Sequence, residues 1–123
     1  MLGGYATLGT NDLPKAIAFY NELFGLFGAM QIRNDERMAL WTTEAGAVLG
    51  VCLPFNGEAA SAGNGTMMGL NAGSKENVDK VHALALSLGG SDEGAPGPRG
   101  DGAAYSGYFR DLDGNKLVVY HFG

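Results

Sequence analysis

The sequence predicts an α+β protein made of two β-α-β-β-β modules. Three observations predict it. The chain repeats itself with an offset of 62 residues, the step from Tyr5 to Met67. Each copy contains one helix-length stretch with apolar residues at helical spacing, closed by glycine. Each copy then continues in short alternating runs broken by turn residues, which is strand patterning. Under the offset Leu8 meets Leu70, Ala16 meets Val78, Phe19 meets Val81, Tyr20 meets His82, Leu23 meets Ala85, Leu26 meets Leu88 and Gly28 meets Gly90. Neither half could bury both its sheet and its helix stripe alone.

In chain order, Tyr5–Gly9 reads as a strand with Gly3 and Gly4 before it. Asn11 and Asp12 are helix-capping types, and Pro14 suits a first helical turn, where its missing N–H costs little. The helix is expected to run to about Leu26. Ala16, Phe19, Tyr20, Leu23 and Phe27 form its apolar stripe, and Gly28 stops it. Three strands follow, Met30–Arg33, Arg37–Thr43 and Ala47–Leu53, with Trp41 in the second on a face the pattern does not set. The first module is thus expected over about 1–57 and a small-residue linker over about 58–64. The second module, over about 65–123, opens with the strand Thr66–Leu70. A helix capped by Ser74 is expected over Lys75–Leu88, with Val78, Val81, Ala85 and Leu88 as its stripe. Gly94–Gly102 is expected as a Gly/Pro-rich loop carrying Arg99 with Tyr105 near it. Ala103–Arg110 and Lys116–Phe122 form the last hairpin, joined by Asp-Gly-Asn.

Composition narrows the function classes. One domain of 123 residues with 46% hydrophobic and 17% charged residues is an ordinary globular balance. Net charge is −5 and the eight Lys and Arg form no cluster, so no nucleic-acid partner is expected. No apolar run reaches membrane-spanning length and no signal peptide is expected. The single Cys52 cannot form an internal disulfide, and a cytoplasmic protein is the expectation.

The run Phe109-Arg-Asp-Leu-Asp-Gly-Asn-Lys-Leu117 closing two such modules resembles the vicinal oxygen chelate superfamily, which includes glyoxalase I, bleomycin- and fosfomycin-resistance proteins and extradiol dioxygenases. Leu8-Gly-Thr-Asn-Asp-Leu13 followed by Ala18-Phe19-Tyr20, and Asp92-Glu-Gly-Ala-Pro-Gly97, agree with it. The resemblance implies that the modules pair into a curved mixed sheet with a concave cavity face and the helices outside. It also implies metal ligands on the first and last strand of each module, and a homodimer. Carried onto this chain, the ligand positions are Tyr5, Gly50, Met67 and Val118. None offers the carboxylate or imidazole donor that a divalent metal site needs, so neither metal nor cofactor is expected.

Strand alternation adds Lys116 and Tyr120 to the face of Val118, with Leu117, Val119 and His121 facing the helix. Ser106, Tyr108 and Arg110 alternate on the neighbouring strand, and the resemblance places Ser106 and Tyr108 at substrate-touching positions. The candidate ligand-binding residues are therefore Tyr5, Trp41, Gly50, Met67, Arg99, Ser106, Tyr108, Val118 and Tyr120. His82 is read as a packing residue with a hydrogen-bonded tip. Asp111–Asn115 is not the start of a calcium loop, because its glycine comes at the fourth position and the twelfth residue is Phe122.

Three functions stay open at this point. The favoured one is a metal-independent binder of a small aromatic or anionic molecule. The second is a metal-dependent lyase or isomerase of the glyoxalase type using unusual donors such as His121, Glu44, Glu58 or residues of a second chain. The third is an accessory module whose cavity is filled by its own side chains.

Overall fold

The structure is a computed structural model that describes residues 4–123, so Gly3 lies outside the described residues. The chain divides into two compact units between Ser61 and Ala62, inside the expected linker. Each unit is one β-α-β-β-β module.

In the first module β1 (Tyr5–Gly9) leads to α1 (Leu13–Gly25), then to β2 (Met30–Asn34), β3 (Met38–Thr42) and β4 (Val48–Cys52). The sheet order is β1-β4-β3-β2, with β1 parallel to β4 and the other pairs antiparallel. The second module repeats this with β5 (Met68–Asn71), α2 (Lys75–Ser87), β6 (Ser91–Arg99), β7 (Ala104–Arg110) and β8 (Lys116–Phe122), in the order β5-β8-β7-β6. Again the first and last strands run parallel.

Both helices start and stop by the same chemistry. The Asp12 carboxylate accepts from Lys15 N and the Ser74 hydroxyl from Asn77 N, each capping a first turn. At the other end Gly28, at φ 66°, donates to Gly25 O while Ala29 N donates to Phe24 O. Gly89, at φ 104°, donates to Leu86 O while Gly90 N donates to Ala85 O. This is the same glycine-closed turn twice. The residue that corresponds to Gly28 is therefore Gly89, one earlier than the offset of the repeat implies. Gly90 is glycine for a different reason: a Cβ there would lie 2.7 Å from Arg110 O and 2.8 Å from Ala85 O. The first helix also ends one residue before expectation, so Phe24 and not Phe27 completes its buried stripe.

Each helix covers one face of its own sheet. In the first module Tyr20 and Phe24 pack on Trp41, with ring centroids 6.3 and 5.3 Å apart, and the Trp41 Nε1–H donates to Asn21 Oδ1 at 3.0 Å. In the second, Val78, Val81 and Ala85 meet Phe109, Leu117 and Val119, all buried. His82 joins them, edge-on to Phe109, with Nε2 3.1 Å from both Asp92 Oδ1 and Tyr108 O. It is the packed, hydrogen-bonded residue expected.

Gly94–Arg99, expected as a loop, belongs to β6. It is an edge strand whose pairing with β7 slips between Asp92 and Gly94 and again between Gly94 and Gly97. An edge strand tolerates Pro96 and Pro98 because an outward-facing position needs no N–H for the ladder.

The β7–β8 turn is built around a buried carboxylate. Asp111 Oδ1 accepts from Asp113 N and Asn115 N, and Oδ2 accepts from Asn115 Nδ2, all at 2.9 Å. Replacing Asp111 by Ala leaves the buried Asn115 donors without these acceptors and is expected to cost about 1–3 kcal/mol, read as a lower urea midpoint at unchanged slope.

Candidate functional site

The face of each sheet turned away from its helix carries the candidate residues. In the second module strand pairing sets Ser106 opposite Tyr120, Tyr108 opposite Val118 and Arg110 opposite Lys116 on that face, with Gly69 opposite Val118 on the far side. Gly69 leaves room beside it: a Cβ there would stand 3.2 Å from the Tyr120 ring. Ser106 and Val118 are buried, and Tyr108 and Tyr120 half-buried.

Tyr108 is the centre of this face. The Arg99 guanidinium lies 5.4 Å from its ring centroid and the Lys116 ammonium 5.5 Å. Such cation–ring contacts contribute about 0.5–1 kcal/mol where exposed. Gly94 and Gly97 make room for Arg99, whose terminal nitrogens come within 3.5 and 3.2 Å of where their Cβ atoms would be. Arg99 is held by Ala95 O at 2.6 Å and Pro98 O at 3.2 Å. Arg110 is held by the Glu93 carboxylate and by Gly114 O at 2.8 Å. Met67, Arg110, Lys116 and the Ala62–Thr66 segment line a recess of about 470 Å³, which Lys116 connects to Tyr108.

Two placements correct the sequence reading. Trp41 lies on the helix side of its sheet, 3% exposed, so it is a core residue. Alternation alone could not reveal this, because β3 is apolar on both faces. Tyr105 also faces its helix, donating to Asp79 Oδ1 at 2.8 Å, while Arg99 turns to the opposite face. Lys116 and Arg110 gain importance that the sequence reading did not give them. The parity of β8 carried the signal for Lys116. The signal for Arg110 was hidden because its partner Glu93 lies on β6, a strand that the sequence reading did not expect.

In the first module Tyr5, Thr7, Val48, Gly50, Met38 and Leu40 share the face away from α1. Tyr5 is 62% exposed, with its hydroxyl 3.8 Å from Met38 Sδ. Gly50 is closed over: a Cβ there would lie 2.3 Å from Leu40 Cδ2 and 2.7 Å from Ala39 O. A second recess of about 690 Å³ lies outside this face, between the start of α1 and the β2–β3 turn. Two of its three acidic residues, Asp12 and Asp35, are already engaged, and Glu36 is the third. Asp12 caps α1, and Asp35 is held below the usual carboxylate range by the Arg33 side chain and the N–H groups of Arg37 and Met38.

The model of the glyoxalase/bleomycin resistance protein/dioxygenase superfamily matches residues 4–119. The chain belongs to that superfamily. A glyoxalase/bleomycin resistance protein from Albidiferax ferrireducens T118 is 32% identical over 100% of this chain and 98% of its own, with a TM-score of 0.88. Two others share the fold at lower identity. A glyoxalase/bleomycin resistance protein/dioxygenase family enzyme from Burkholderia phytofirmans PsJN is 19% identical over 97% of each chain, with a TM-score of 0.75. Lactoylglutathione lyase from Agrobacterium tumefaciens is 21% identical over 98% of this chain and 92% of its own, with a TM-score of 0.70. No curated protein matches the chain.

The side chains at the four positions that the resemblance assigns to metal ligands do not fit a metal. In the first module these are a phenol at Tyr5 and no side chain at Gly50; in the second, a thioether at Met67 and an isopropyl group at Val118. Among the described residues, no three His, Cys, Asp or Glu are grouped so as to hold a metal ion. No helix among them is long and apolar enough to cross a membrane.

Two measurements follow. Gly50→Ala is expected to cost about 1–3 kcal/mol through overpacking. The cost should shrink, without vanishing, in a Leu40→Ala background, because the Ala39 carbonyl remains; a double-mutant cycle by urea unfolding reads the coupling. Tyr105 has its pKa raised above 10.0, chiefly by the hydrogen bond to Asp79. A group raised on folding adds stability that is fully present below its unfolded pKa and is lost as pH rises through the folded one. Urea midpoints of the wild type should therefore fall more steeply than those of Tyr105→Phe between about pH 9 and about pH 12.

Proposed function

We propose that this glyoxalase/bleomycin-resistance-like protein is a metal-independent binder of a small aromatic or anionic molecule. The observation that carries the reading is the Tyr108 ring between Arg99 and Lys116, two cations for which no ion pair occurs among the described residues. Cations held over an aromatic ring attract an anion by charge, and the apolar and aromatic groups around them suit a flat body. Met67, Ser106, Val118 and Tyr120 complete the proposed binding face within the second module. The absence of carboxylate and imidazole groups at Tyr5, Gly50, Met67 and Val118 supports a role without a metal.

A homodimer and a cytoplasmic location are parts of the same reading. The first is supported by the edge strand β2, where Met30 and Ile32 are exposed, and sedimentation velocity tests it. The second is supported by the single free Cys52.

The test is a thermal-shift panel of neutral and anionic aromatic compounds, run beside metal analysis of protein purified without chelators. Some aromatic compounds should raise the melting temperature of the wild type, and Tyr108→Leu should lose most of that rise. Exhaustive dialysis against a chelator should leave both melting and binding unchanged. Stoichiometric, tightly held divalent metal would sink the reading, as would a panel that shifts nothing.

A further inference from the structure

We infer that the recess lined by Met67, Arg110 and Lys116 is an anchor for a carboxylate, with Lys116 as its principal contact and Arg110 beside it, and that it selects a monoanion over a phosphate dianion. The inference rests on the binding face proposed above and names the chemical class that it takes.

The argument begins with the strand register. Arg110 and Lys116 are direct cross-strand partners on one face of the sheet. Like charges in that position destabilise a sheet. Arg110 is offset by Glu93 and by the Gly114 carbonyl. Lys116 has no ion pair among the described residues; its ammonium rests against the Tyr108 ring at the wall of the recess. Lys116 is half-buried, so part of its hydration is already removed and a ligand anion restores what is lost. Arg99 also has no ion pair among the described residues, but its terminal nitrogens are bonded to Ala95 O and Pro98 O and it does not line the recess.

The charge count selects the ligand. Arg110 and Glu93 balance, leaving Lys116 as the one uncompensated charge among the residues that line the recess. One carboxylate neutralises it. A phosphate dianion would carry excess negative charge toward Glu93, which is fixed on Arg110. Met67, which also lines the recess and is exposed, offers an apolar contact to the body of the ligand.

Benzoate, benzamide and inorganic phosphate are the probes, measured by calorimetry on the full chain. Wild type should bind benzoate more tightly than benzamide or phosphate, with affinity falling as salt rises. Lys116→Met should weaken benzoate by about tenfold or more and Lys116→Arg by less than about threefold. In the wild type, benzoate should move the Met67 methyl resonance with the same saturation curve, a readout that decides the matter even if Lys116→Met fails to fold. An unmoved Met67 methyl, unchanged benzoate affinity in folded Lys116→Met, or phosphate binding tighter than benzoate would overturn the anchor. If benzamide binds as well as benzoate, the anchor fails while the Tyr108 binding face stands. If none of the three binds and the wider aromatic panel is also silent, both fail.

Discussion

The rest of each module depends on one constraint, the parallel pairing of its first strand with its last. Adjacent parallel strands cannot be joined by a tight turn, so the chain must leave the sheet and return, and here it leaves through the helix. The helix then covers one face, and a strand period of two sorts every other residue onto the opposite face. In the second module this sends Phe109, Leu117 and Val119 under α2 and turns Tyr108, Val118 and Tyr120 away from it. The same sorting separates neighbouring acids on β6: Asp92 reaches His82 on the helix side, while Glu93 reaches Arg110 on the other.

That sorting explains what the sequence reveals. The repeat, both helices with their caps and the parity of β8 are all carried by local patterns. Apolar residues recur at the period of the element, and Asp12, Ser74, Gly28 and Gly89 mark its ends. The family follows from the Asp-Gly-Asn turn, and the turn itself is structural, held by the Asp111 carboxylate. β6 was illegible because its glycines and prolines remove the side-chain alternation that marks a strand, while its position at the edge lets it pair irregularly. Trp41 was ambiguous because β3 is apolar on both faces, and only packing against Tyr20 and Phe24 assigns its side. The face of β7 and β8 away from α2 was legible as a set of positions. Its contacts were not, since the stacking of Arg99 and Lys116 on Tyr108 brings together three strands.

The departure from a metal-using pattern is more than four missing donors. At Gly50 the space of a side chain is taken by Leu40, and the Ala39 carbonyl stands close behind it. A ligand could not be restored there by one substitution, because the neighbouring strand has packed into the position. At Val118 an apolar side chain is 7% exposed beside Gly69, so a carboxylate there would carry the desolvation cost of a largely buried place. These two positions have been absorbed into the packing of their sheets, each within its own module.

Charge is arranged with the same division of faces. The chain is acidic overall, at net −5, yet the side of the second sheet away from α2 carries Arg99, Arg110 and Lys116 against Glu93. On the helix side Asp79 holds Tyr105 and Asp92 holds His82. A global count therefore misjudges what this sheet would attract. The field near Tyr108 is set by cations within a few ångströms, while more distant acids are screened by salt over roughly 8–10 Å. An acidic protein can in this way present a locally positive face, and it is the local field that decides which ligand enters.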